Sequence, residues 1–204
     1  MKNISQYLLV EGKDDQNVIW ALCQKFRLTK NFAVEDSQGF EKMLPEISVR
    51  LKQSNIRTLG IVVDADTALE SRWQSLQSEF AKSNIILPNA LPQDGFLKDY
   101  EEIRIGIWIM PNNQISGMIE DFIQFLIPKD DKLLPLVDKH LEEIEKLGLN
   151  KYKRIHKSKT RIHAWLALQE KYTPMGQAIT VNYLTTDEQN CKLFLDWLKE
   201  LFNA

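Results

Sequence analysis

Thr58-Leu59-Gly60-Ile61-Val62-Val63-Asp64-Ala65-Asp66 is the stretch that decides the fold. Leu59, Ile61, Val62 and Val63 form an apolar run that stops abruptly at two aspartates. A short apolar run without polar alternation marks a strand covered on both faces, as in a parallel sheet. A strand is therefore predicted over Thr58–Val63. The residues after it, Leu69, Trp73, Leu76 and Phe80, fall at helical spacing. Upstream, Tyr7–Val10 is a second apolar run, closed by Glu11-Gly12. Asp14 is suited to cap a helix carrying Val18, Ile19, Leu22, Cys23 and Phe26. Phe32–Val34 is a further short strand. Gly39–Leu51 has helical spacing, into which Pro45 fits best in the first turn.

Downstream, Ser83–Glu101 is rich in loop signals, with Pro88, Pro92 and a short strand expected at Ile85–Leu87. Ile103, Ile105, Ile107 and Ile109 then alternate towards Met110-Pro111-Asn112-Asn113, which predicts another strand. The alternation of strand and helix implies an α/β fold with a mostly parallel central sheet flanked by helices. The second half reads as helices over Met118–Leu126, Leu133–Leu147, Thr160–Lys171 and Asp187–Phe202. The expected organisation is an α/β domain over 1–127 and a helical extension over 128–204 packed on the same core.

Composition agrees with a globular chain. Of 204 residues, 44% are hydrophobic and 26% charged, and 26 basic against 28 acidic residues give a net charge of −2. These values exclude a disordered, collagen-like or globally basic nucleic-acid-binding chain. Cys23 and Cys191 are far apart and in no ligand spacing, so neither a disulfide scaffold nor a zinc site is expected. No segment approaches the about 18 apolar residues of a membrane span. The N-terminal run is interrupted too early, by Glu11, to be a secretory signal, so the expected compartment is the cytoplasm.

Ligands of parallel sheets bind beyond the C-terminal ends of the strands. One strand here ends at Glu11 and another at Asp64-Ala65-Asp66. If those strands are neighbours, three carboxylates converge, which is costly without a cation or a shared proton. A hard divalent ion suits such oxygen ligands. Asp15, one helical turn after Glu11, reaches the same edge. Glu120 and Asp121, after the last strand, are further candidates. Each acid also has a plainer role: Asp14, Asp15, Glu120 and Asp121 stand where first-turn acids favour a helix, and Asp64 or Asp66 suits a helix cap.

Leu8-Leu9-Val10-Glu11-Gly12-Lys13-Asp14-Asp15 resembles the first motif of Toprim domains, and Ile61-Val62-Val63-Asp64-Ala65-Asp66 resembles their Asp-x-Asp motif. Ile107–Asn113 with Gly117–Asp121 is similar to the later Toprim segment of overcoming-lysogenization-defect nucleases. It is similar also to a small family of stand-alone bacterial Toprim-like proteins. His156–Arg161, Ala164–Ala167 and Pro174–Ile179 extend the likeness to that family. The resemblance implies a Toprim, Rossmann-like sheet and Mg²⁺ (or Mn²⁺) serving phosphodiester chemistry on DNA or RNA. It implies metal ligands at Glu11, Asp64 and Asp66, with Asp15 and Glu120 as additional acidic positions. Glu11 doubles as an acid/base group, and Lys159 matches a basic residue that offsets transition-state charge. The nucleases carry an ATPase domain, but no Gly-x-x-x-x-Gly-Lys-Ser/Thr loop occurs in this chain.

Lys151–Arg161 holds six basic residues, one histidine and no acid. Such a run suits a phosphate backbone, or else a solvated surface balanced by the acidic helix Asp138–Glu145. His140, His156 and His163 show no ligand spacing, and His163 reads as a helix-face residue. Trp73, Trp165 and Trp197 read as core. The stripe Leu193, Phe194, Trp197, Leu198 and Leu201 reads as a docked helix; exposed, it would mark a homodimer surface. Three functions are weighed. The first is a metal-dependent nuclease or phosphotransferase, and the second a non-catalytic metal- or phosphate-binding regulatory module. The third is a phosphatase of the haloacid-dehalogenase class. Asp64-Ala65-Asp66-Thr67 is similar to that class's nucleophile motif, but Ala68 stands where it wants Thr or Val.

Overall fold

In the computed structural model, which describes residues 4–28 and 31–203, the chain alternates strand and helix through its first half. It runs β1 (Gln6–Val10), α1 (Lys13–Lys25), β2 (Ala33–Asp36), α2 (Phe40–Leu51), β3 (Thr58–Asp64) and α3 (Leu69–Ala81). A β-hairpin follows, β4 (Phe96–Tyr100) and β5 (Ile103–Met110). The rest is helical: α4 (Ile119–Phe125), α5 (Leu134–Lys146), a 3₁₀ turn (Arg154–His156), α6 (Lys157–Ala167), α7 (Met175–Thr180) and α8 (Gln189–Phe202).

The five strands form one sheet in the order β2-β1-β3-β5-β4. The first four are parallel, and β4 closes the edge antiparallel to β5. Successive side chains alternate between faces, and here both faces are covered. Leu8, Val10, Val62, Trp108 and Met110 face a core shared with α1, α4, α6, α7 and α8. Leu9, Ile61, Val63, Ile105, Ile107 and Ile109 face a second core with α2 and α3. This double cover is why β3 reads as an unbroken apolar run and why Trp108, between the alternating isoleucines, is also fully buried.

Helix α8 lies directly on the sheet. Gly60 and Gly106 are register partners on β3 and β5. A Cβ at either would come within 2.8 Å of a Leu201 methyl carbon, so both positions admit α8 only as glycine. Trp197 Nε1 donates to the Phe96 carbonyl at 3.1 Å and ties the same helix to β4. Phe194, Leu198 and Leu201 are fully buried, so the stripe expected on this helix docks inward rather than offering a dimer surface. Among the described residues no helix is long and apolar enough to cross a membrane.

Several expectations are corrected. Ile85–Leu87 is not a strand; Leu87 is buried, Ile86 is exposed, and the segment is held by the Tyr100 hydroxyl donating to the Ile86 carbonyl. The extra strand is Phe96–Tyr100, whose Lys98-Asp99 centre suits an exposed edge rather than an apolar run. The second strand is Ala33–Asp36, displaced from Phe32–Val34, and Phe32 packs its ring on Phe202. Phe26 ends α1 as an exposed C-cap residue. Gly12, not Asp14, is the N-cap of α1. Helix α2 continues through Pro45, which lies mid-helix. Helix α6 begins at Lys157 and ends at Ala167, earlier at both ends than Thr160–Lys171. Helix α8 begins after Glu188, whose carboxylate accepts from the Asn190 and Cys191 amides. Helix α7 was not anticipated.

The sheet order places a topological switch between β1 and β3. The chain leaves β1 for β2 on one side and leaves β3 for β5 on the other. Accordingly α1 packs in one layer and α3 in the opposite one. The crevice beyond the C-terminal ends of these two strands is where such folds hold ligands.

Candidate functional site

Glu11 is the first residue beyond β1 and Asp64 the last of β3. With β1 and β3 paired through Val10↔Val62, both acids stand at the same edge. Glu11 Oε1 accepts from the Asp64 amide at 3.0 Å, which locks the two strand ends together through the acid itself. The loop before α2 holds the Glu11 backbone from the other side, with the Gly39 amide donating to the Glu11 carbonyl at 2.8 Å. Asp15 lies in the first turn of α1 and is buried. Glu120 lies in the first turn of α4 and is only 1% exposed.

Asp15 and Asp64 both feel the charges of Glu11 and Glu120. Burial raises the Asp64 carboxyl well above its ordinary range, and the charges of Asp15, Glu11 and Glu120 push the same way. Asp15 is pushed up to about 7, by burial first and then by Glu11. Glu11 is raised by burial, against the pull of Arg72 and the Asp64 amide. Asp15 Oδ1 and Asp64 Oδ1 are buried oxygens that accept no hydrogen bond from the protein, and the buried Glu120 Oε1 is met by the Lys159 ammonium at 3.3 Å. Orphaned buried acceptors are rare, and two of them beside Glu11 and Glu120 at one edge fit a hard divalent cation.

Asp66 behaves differently. Its backbone has φ of 50° and its amide donates to the Gly117 carbonyl at 2.8 Å. Its carboxylate is taken by the Arg72 guanidinium, six residues on in α3. Arg72 also stands 4.0 Å from Glu11 Oε1 and stacks 3.9 Å over the Phe40 ring. Asp66 and Arg72 line a cavity of about 250 Å³ together with Phe40, Thr67 and Ser71. Asp66 is thus at the site but turned to an arginine, whereas Glu11, Asp15, Asp64 and Glu120 face one another.

Asp121 is a structural acid. Its Oδ2 accepts from the Met118 amide at 2.8 Å, capping α4, and its Oδ1 accepts from the Ser158 hydroxyl of α6. A Cβ at Gly117, whose φ is +144°, would stand 2.7 Å from that carboxylate, so glycine is required there. Docking α6 against α4 brings Lys159 Nζ to 3.3 Å from Glu120 Oε1 and 3.6 Å from Asp14 Oδ2. Partial burial lowers the Lys159 ammonium's pKa, but the charges of Glu120 and Asp14 outweigh this and leave it raised. Two further members of the basic run are paired, Lys157 with Glu145 at 2.7 Å and Arg161 with Asp138.

Two participants had no signal in the linear pattern. Arg72 is one polar residue among many on α3, and only the turn at Asp66 shows what it serves. His163 lies one turn beyond Lys159 on α6, and its Nε2 is buried without a hydrogen bond.

Fold and site together define an α/β protein with an acidic pocket at the switch point of a mostly parallel sheet. More particularly, the chain belongs to the family described as "Protein of unknown function (DUF3226)", whose model matches residues 5–203. Comparison with curated proteins and with solved structures gives no match.

Proposed function

We propose that this protein is a Toprim-like phosphoryl-transfer enzyme, nuclease-like, that uses Mg²⁺ or Mn²⁺ on a phosphodiester of DNA or RNA. The observation that carries this reading is the pair of orphaned oxygens on Asp15 and Asp64 beside Glu11 and the buried Glu120 at the strand ends. Glu11, Asp15, Asp64 and Glu120 would hold the cation. A dication there would offset part of the charge of these acids, and the chemistry it would supply is activation of a water and stabilisation of the leaving oxygen. Glu11, bonded to the Asp64 amide, is fixed in place and serves as the acid/base group. Lys159 brings a positive charge from α6 to the rim, where charge builds up on the reacting phosphate. Asp66 is the reserve ligand, released to the cation if Arg72 turns to a phosphate in the adjoining cavity.

The same arginine supports a second reading, a metal- or phosphate-binding regulatory module without turnover. With Asp66 clamped by Arg72, the acid set facing the pocket is short of one Asp-x-Asp member. One experiment separates the two. Mn²⁺ affinity is measured by titration calorimetry, and nicking of supercoiled plasmid is followed in Mg²⁺ and Mn²⁺. Turnover that Asp64→Asn abolishes supports the enzyme. Cation binding without nicking supports the module. If neither Asp64→Asn nor Glu11→Gln changes the cation affinity, both readings fall.

A further inference from the structure

At Glu120 side chains from the helices α1, α4 and α6 come together. Asp14 comes from the first turn of α1, Glu120 from the first turn of α4 and His163 from the middle of α6. One carboxylate oxygen of each acid and one ring nitrogen of His163 all lie within 4.8 Å of one another. His163 Nε2 is buried and has no hydrogen-bond partner, while Glu120, 1% exposed, meets the Lys159 ammonium 3.3 Å from its Oε1. That ammonium answers the two acids and leaves the imidazole unanswered.

We propose that Asp14, Glu120 and His163 form a second metal site, adjoining the strand-end pocket through Glu120, that takes a transition-metal dication, with the Lys159 ammonium holding the position until the ion arrives.

The donor chemistry selects the ion. Two carboxylates and an imidazole suit Zn²⁺, Co²⁺ or Mn²⁺, whereas Mg²⁺ favours oxygen alone. Ligands about 2.0–2.2 Å from an ion stand about 3–4.4 Å apart, so the three groups need only small inward shifts. The exchange with Lys159 is sterically open, since its side chain is 49% exposed and that of Asp14 41%. Both the ammonium and the ion answer the same two acids, so they compete. The site does not depend on the phosphoryl-transfer reading. It shares Glu120 with the first pocket, so His163 and Asp64 are the residues that tell the two apart.

The test is a Co²⁺ titration of the full chain, read by calorimetric stoichiometry and by visible absorption, with circular dichroism to check the fold of each variant. The wild type is expected to bind two ions. His163→Gln should lose one, together with the absorption of the nitrogen-ligated ion, and Asp64→Asn should lose the other. Lys159→Met should tighten the histidine-bearing site by about tenfold, the effect of removing one competing charge. Unchanged stoichiometry and spectrum in His163→Gln, or unchanged affinity in Lys159→Met, overturns the proposal. If a single ion binds and only Asp64→Asn removes it, this site falls while the strand-end pocket stands. If only His163→Gln removes it, the reverse holds.

Discussion

Asp15 is where burial and charge act most directly on a single group. Burial, with the Glu11 charge behind it, pushes its carboxyl up to about 7 in the folded chain from 3.8 for the unperturbed group. The folded state therefore binds more protons than the unfolded one between those values. The stability this contributes is present below 3.8 and is lost as pH rises through about 7. In EDTA, the melting temperature of the wild type should fall as pH is raised from about 5 to about 8. Asp15→Asn, which cannot ionise, should flatten that fall, and saturating Mn²⁺ should reverse it by favouring the ionised form. Parallel pH slopes for wild type and Asp15→Asn would refute the assignment of the titration. Arg72 acts in the opposite sense. It is the standing counter-charge to Glu11 and Asp66, with a side chain only 13% exposed. Arg72→Gln leaves two acids without their partner, which costs about 2–4 kcal/mol. Urea melts in EDTA should show that loss, and Mn²⁺ should recover much of it in the variant by supplying the missing charge.

At the scale of elements, helix α4 presents two adjacent acids with opposite duties. Glu120 faces the pocket, while Asp121 caps the helix and receives Ser158 from α6. Asp121→Ala should therefore cost about 1 kcal/mol through the lost cap. It should also weaken cation binding, because Glu120 rides on the loosened turn. Glu120→Gln should weaken cation binding with no such loss of stability, and calorimetry beside urea melts separates the two patterns. The sequence could not make this division, since both residues stand where first-turn acids are favoured. The elements themselves were more legible. β1, β3, β5, α3 and α5 declare themselves through apolar runs and helical spacing, because each buries a continuous face. β4 hides, since an edge strand with Lys98 and Asp99 at its centre buries little besides Phe96. Glu11, Asp15, Asp64 and Glu120 were found because they follow strands whose ends the fold must gather. The turning of Asp66 to Arg72 and the arrival of His163 depend on helix packing, and no spacing along the chain records it.

At the scale of the whole molecule, the pocket is assembled by segments from both ends of the chain. Glu11 and Asp15 come from the first strand and helix, Asp64 from the centre of the sheet, Glu120 from α4 and Lys159 from α6. Holding these against one another is the task of the core shared by α1, α4, α6, α7 and α8. A cation held by the acids of β1, β3 and α4 at once, as proposed, would bind the native state and not the unfolded one. At about 100 times its dissociation constant it should raise the unfolding free energy by about 2.7 kcal/mol. Helix α8 supports that assembly from a distance, through the glycine pair on β3 and β5. Gly106→Val drives a branched side chain into Leu201 and Trp197, at a cost of about 1–3 kcal/mol for overpacking. Because α8 supplies no acid to the pocket, the two effects should add: the variant should melt lower in EDTA yet gain the same increment from Mn²⁺ as the wild type. A smaller Mn²⁺ increment in Gly106→Val would mean that α8 positions the acids as well as covering the sheet. The increment, measured across a Mn²⁺ series by thermal melts, decides between a helix that only covers and one that also tunes the site.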